Sequence, residues 1–167
     1  MTRRDTILKW TAYGVMLALL AVMNYYVLGP LPMALPLLLP MAAVAAGVLE
    51  GAGFGAGFGI AAGLVMSALS HTGLGCVPAL SLAGWLSGLT AQYVLRRDIL
   101  GHLICCAAAG VCWELFQVGS RLLAHTAPLS VLLRVALPEL GWTLALAIPV
   151  YWAGRFCCIH YGRIYHE

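Results

Sequence analysis

Charge is what this chain has least of. Nine lysines and arginines and six aspartates and glutamates are spread over 167 residues, 9% in all, against roughly 25% in an ordinary soluble domain. Hydrophobic residues make up 62%. A soluble protein of this size cannot keep that much apolar surface inside. Long polar stretches are missing too, so no soluble domain is left over once the apolar runs are assigned. The six cysteines follow no disulfide or metal spacing: Cys105–Cys106 and Cys157–Cys158 are adjacent pairs, Cys76 and Cys112 stand alone, and there is no CxxC. They read as small apolar packing residues. Gly53-Ala-Gly55 starts like a dinucleotide loop, but it sits in an apolar run with no GK[ST] and no preceding soluble strand. No Ser–His–Asp, zincin or nucleophile-elbow pattern is present, and His71, His102 and His125 lack metal-ligand spacing. These absences point away from an enzyme, a cofactor, a metal site and a nucleic-acid partner.

What remains is an all-α membrane protein, a compact bundle of six transmembrane helices in one polytopic domain. The spans fall at about 10–28, 34–49, 52–69, 77–95, 99–118 and 138–158, each judged against a hydrocarbon core of roughly 30 Å. Arg3, Arg4 and Lys9 precede the first, and Tyr25 and Tyr26 close it at interface depth. With further spans behind it and no cleavage site at Gly29-Pro-Leu-Pro-Met33, it reads as an uncleaved span. The second is short and interrupted by Pro36 and Pro40, which predicts a bent or interfacial start. The stretch Leu122–Leu137, with His125, Pro128 and Arg134, reads as a loop carrying a short interfacial helix. Pro138 is expected at the first helical position of the last span, with Glu139 in its first turn. Pro149 is expected to bend that span.

Six spans put both termini on one side. Taking that side as cytoplasmic places Arg3, Arg4, Lys9, Arg96, Arg97, Arg155 and Arg163 inside and only Arg121 and Arg134 outside. That distribution obeys the positive-inside rule.

Two features stand out within the spans. Gly51, Gly55, Gly59 and Gly63 recur every four residues, with Ser67 and His71 continuing the spacing. On a helix they form one smooth face. In water such glycines would disfavour a helix, but in a bilayer they let another helix approach closely. Gly84 and Gly88, with Ser81, Ser87 and Ala91, give the fourth span a matching face. The spacing alone leaves open whether the ladder meets a helix of this chain or of a partner. The second feature is Glu114, the one acid well inside an apolar run, on a helical face with Gly110, Gln117 and Arg121. A charge at that depth faces protein or water, so the face reads as a polar brace, a partner contact or part of a substrate path. Glu50 ends the second span beside the next helix N-terminus, where the helix dipole favours a carboxylate.

Several of these residues resemble a known family. Leu37-Leu-Leu-Pro-Met-Ala-Ala-Val-Ala-Ala-Gly-Val-Leu-Glu-Gly51, Gly55-Ala-Gly-Phe-Gly-Ile-Ala-Ala-Gly-Leu64, Gly73-Leu-Gly75, Gly84-Trp-Leu-Ser-Gly88 and Trp113-Glu114-Leu115 are similar to the MreD family, the small membrane subunit of the bacterial rod-shape machinery. Many members carry an aspartate late in the third span, where Ser67 stands here. The resemblance implies a non-enzymatic subunit of the bacterial inner membrane that binds MreC. With RodA, its penicillin-binding transpeptidase and, indirectly, MreB, it would direct lateral peptidoglycan synthesis. The lipid bilayer is the other expected partner. A different class also fits a small six-span chain rich in small residues: the substrate-binding membrane subunit of an energy-coupling-factor vitamin transporter. There His71, Trp85, Glu114, Gln117 and Trp142 would line a pocket, and Gly14-xxx-Ala18 would dock a coupling subunit.

Overall fold

The computed structural model describes residues 3–29, 37–70, 74–95, 98–123 and 129–161; the side chains of residues 3–5, 70, 120, 121, 123, 129–131 and 161 lie outside that description. The described chain is all-helical. Helix α1 (Arg3–Val22) runs on into a π-helical turn at Met23–Leu28. It is followed by α2 (Leu38–Glu50), α3 (Ala52–Ser70), α4 (Cys76–Tyr93), α5 (Ile99–Leu123) and α6 (Leu129–Tyr161). Four of these are long and apolar enough to cross a membrane, over Thr6–Leu28, Ala52–Leu69, Ile99–Gly119 and Leu132–His160.

The centre of the bundle is α2. It touches all five other helices, and Leu38 to Val48 are buried without exception. A helix apolar on every side has no face to offer water and belongs inside. Ala42, Ala43, Ala45, Ala46 and Gly47 add little bulk, so neighbours close in from all directions. At about 1.5 Å per residue its 13 residues reach only about 20 Å, short of the membrane core. The second run is therefore a core helix enclosed by its neighbours; Pro36 and the expected start of the span at 34–36 lie outside the described residues. Pro40 is its third residue, where the missing N–H would have had no partner within the helix. The Leu37 backbone N–H donates to Thr143 Oγ1 of α6 at 3.1 Å, satisfying one donor at this helix start.

Contacts along the bundle fix which helix ends lie together. Lys9 of α1 pairs with Glu50 at the end of α2. Gly88 of α4 abuts Ala52 at the start of α3. Thr90 Oγ1 lies 3.3 Å from Cys105 Sγ near the start of α5, and Gly154 of α6 rests against Leu49. The start of α1, the α2–α3 corner, the end of α4, the start of α5 and the last turns of α6 therefore share one end.

Two boundaries depart from expectation in a way that matters. Helix α5 continues to Leu123, and α6 begins at Leu129, so most of the expected loop at 122–137 is helix; His125 and Pro128 lie outside the described residues. Pro138 is interior to α6, as is Pro149, and Glu139 is not in a first turn. The reason is periodicity that outweighs one proline. Leu132 and Ala136 are buried while Leu133, Arg134 and Val135 between them are exposed, a helical pattern that runs through Pro138 at the loss of one backbone hydrogen bond. The six cysteines are free thiols, with Cys76, Cys105, Cys106 and Cys157 buried.

Candidate functional site

Three helices meet on glycine. The corner between α2 and α3 is Gly51, whose φ of 101° lies in the left-handed region that side chains disfavour. Gly47 stands four residues before it and Gly55 four after, so the antiparallel helices bring them face to face. A β-carbon on Gly55 would lie 2.5 Å from the Gly47 α-carbon and 2.5 Å from the Gly84 carbonyl oxygen. One on Gly84 would collide with the Gly55 carbonyl oxygen, and one on Gly47 with that of Gly84. Further along, Gly59 sits on the backbone at Leu80 and Ser81, and Gly63 within 2.6 Å of the Val77 α-carbon by the same measure. Gly88 closes on Ala52 and Gly51. The ladder thus lies along α4 of the same chain. Ser67, half-buried, extends the row one turn, and His71 lies outside the described residues. Ser87, buried on α4, donates to the Gly84 carbonyl oxygen at 2.9 Å and reaches 3.4 Å from that of Val44 on α2. Gly47 and Ser87 complete this junction.

At the end where α1 starts and α6 finishes is a second cluster. The Lys9 ammonium donates to Glu50 Oε2, and the Tyr13 hydroxyl donates to Glu50 Oε1 at 3.2 Å. The Lys9 and Glu50 side chains are 11% and 4% exposed, so the pair is largely desolvated. Lys9 also stands 4.5 Å over the Phe54 ring, a cation–π contact strengthened by desolvation. Trp10 and Tyr13 meet Phe54 at 4.5 and 4.8 Å between ring centres, and Phe58 meets Tyr13 edge-on at 5.8 Å. Glu50 is thus held by α1 as well as placed near a helix N-terminus. Sequence reading missed Lys9 and Tyr13 because their partner is 41 and 37 residues away.

The third constellation lies on α5. Glu114 is buried and Gln117 half-buried, while Arg121 belongs to α5 with its side chain outside the described residues. Gly110, on the same face, packs against Leu140 of α6 and Met41 of α2, which turns that face inward. One turn after the start of α5, His102 is fully buried. Its Nε2 lies 3.2 Å from the Ala147 carbonyl oxygen, Cys106 Sγ approaches at 3.3 Å, and the ring tilts against Tyr151 at 5.2 Å. It braces α5 on α6, a role its neighbours in sequence do not announce.

Trp85 and Trp142 are exposed on the outside of the bundle, so they do not gather around buried Glu114 to line a pocket. Among the described residues no three His, Cys, Asp or Glu side chains are grouped to hold a metal ion. Comparison with protein-family models, with curated proteins and with solved structures finds no match to this chain.

Proposed function

We propose that this chain is a non-enzymatic membrane subunit of the bacterial cell-elongation complex, in the manner of MreD. In this reading it sits in the inner membrane with both termini cytoplasmic, binds MreC, and helps direct lateral peptidoglycan synthesis by RodA and its penicillin-binding transpeptidase, with MreB engaged indirectly. One observation carries the reading. Three of the five stretches that resemble MreD build the glycine junction: 37–51 supplies α2 and Gly47, 55–64 supplies Gly55 and Gly59, and 84–88 supplies Gly84, Ser87 and Gly88. At these glycines a single added carbon meets backbone, so these three stretches coincide with what this fold can least vary. The outward faces of α1, α5 and α6, with Val15, Phe116 and Trp152 exposed, are left for lipid and for partner helices.

Depletion of the chain in its own host tests this. The expected result is that cells lose their rod shape and that labelled cell-wall precursor no longer enters the side wall. Unchanged shape together with a defect in uptake of a vitamin would overturn the reading in favour of the transporter class.

A further inference from the structure

The start of α2 places backbone donors inside the bundle. In its first turn the N–H groups of Leu38 and Leu39 have no carbonyl four residues back within the helix. Among the described residues no side chain caps this end; Thr143 accepts from the N–H of Leu37, one residue earlier. Pro40 has no N–H to satisfy. Leu38 and Leu39 are 4% and 1% exposed, so bulk water does not cover their amides.

An acceptor lies at the same depth. Asn24, in the π-helical turn that ends α1, is 8% exposed. Its Oδ1 is buried and has no hydrogen-bond partner among the described residues. Asn24 shares a face of α1 with buried Tyr13, Leu17 and Ala21, and Tyr13 donates to Glu50 at the far end of α2. Eleven residues separate Asn24 from Tyr13, and eleven separate Leu39 from Glu50, about 16 Å along each helix. The two helices touch, with the start of α1 at the end of α2. Asn24 is therefore level with the first turn of α2.

We infer that Asn24 holds an internal water molecule that caps α2. Such a water donates to Asn24 Oδ1 and accepts from the Leu38 and Leu39 N–H groups. Those three groups are the usual number of protein partners for a buried water. Buried donors and acceptors left unmet each carry their full desolvation cost, and water meets both kinds at once. The neighbouring side chains of Ala21, Leu38 and Leu39 have no polar atom to offer instead. Asn24 lies four residues from the end of the α1 span at Leu28, about 6 Å, so water has a short way in from that membrane face. The central helix is then fastened to α1 at both ends, through Glu50 at one and through Asn24 and its water at the other. Asn24 is a positioning residue for α2.

The test is water-edited solid-state NMR of the full ¹⁵N-labelled chain in lipid bilayers, joined to thermal unfolding. In the wild type, magnetisation from water should reach the Leu38 and Leu39 amides quickly and leave Val44, in the middle of α2, untouched. Asn24→Leu should lose the transfer at Leu38 and Leu39 and lower the unfolding midpoint, because both N–H groups are then buried without a partner. An Asn24 that merely lacked a partner would do the opposite, since leucine in its place would raise the midpoint. Should Asn24→Leu not fold, Thr143→Val decides the matter: the transfer should persist without that hydroxyl. The inference is overturned by absent transfer in the wild type, by transfer unchanged in Asn24→Leu, by a raised midpoint, or by transfer that vanishes with the Thr143 hydroxyl.

Discussion

Gly47 and Gly55 approach so closely that a β-carbon on Gly55 would stand 2.5 Å from the Gly47 α-carbon. The contact joins backbone to backbone, so no side-chain rotation can relieve an added methyl. Gly53, two residues earlier, has nothing within 4 Å of its would-be β-carbon. Gly55→Ala should therefore destabilise the bundle by about 2 kcal/mol or more, as overpacking does. Gly53→Ala should stay within about 1 kcal/mol of wild type. Unfolding of both variants by SDS titration makes the comparison, and equal effects would mean the helices are not in register as described. Leucine at Gly55 and Gly59 should abolish the seam and, with it, partner binding.

Lys9 and Glu50 form a largely desolvated pair, so each needs the other. Lys9→Met leaves the carboxylate buried without its ammonium and should cost about 3 kcal/mol. Lys9→Met combined with Glu50→Gln should recover most of that loss, since both charges are gone. A double-mutant cycle measures this, and simple additivity would contradict the pairing. Tyr13→Phe, which removes one hydrogen bond to Glu50, should cost about 1 kcal/mol.

His102 holds α5 to α6 more by filling space than by its hydrogen bond. The Ala147 carbonyl oxygen lies within a helix and keeps its backbone partner whatever the ring does. His102→Leu should therefore cost about 1 kcal/mol, and His102→Ala, which opens a cavity, about 3 kcal/mol. Thermal unfolding in detergent ranks the two, and the reverse order would make the hydrogen bond the main support.

Glu114→Gln keeps the size of the side chain and removes its charge. The fold should survive, with an unfolding midpoint close to wild type, while recovery of partner proteins or rod-shape complementation falls. Full complementation by this variant would show that the charge has no part in assembly.

How far the sequence speaks for itself differs from residue to residue. Sparse charge and long apolar runs are enough for an all-helical membrane protein, because only closed backbone hydrogen bonding survives in hydrocarbon. The fourfold glycine spacing is equally legible as a row on one helix, and Gly84 with Gly88 as a matching row. Their meeting with Gly47 is not, because that depends on the turn at Gly51. The central place of α2 is hidden by the short run at 34–49 with its two prolines, which suggests an edge; only its neighbours show that it is enclosed. Pro138 misled because proline is favoured at helix starts, and nothing local shows that the helix before it persists. Lys9 and Glu50 each had a local explanation, one as a flanking basic residue and the other as a dipole partner. Their pairing is a property of the fold.

Co-purification of the tagged chain from its native membranes, with mass spectrometry of whatever accompanies it, tests the central claim most directly. Recovery of MreC with RodA and its transpeptidase is the predicted result. It should be lost in the variant carrying leucine at Gly55 and Gly59. Recovery instead of paired ATPases with a coupling membrane subunit, or of a bound vitamin, would contradict the account.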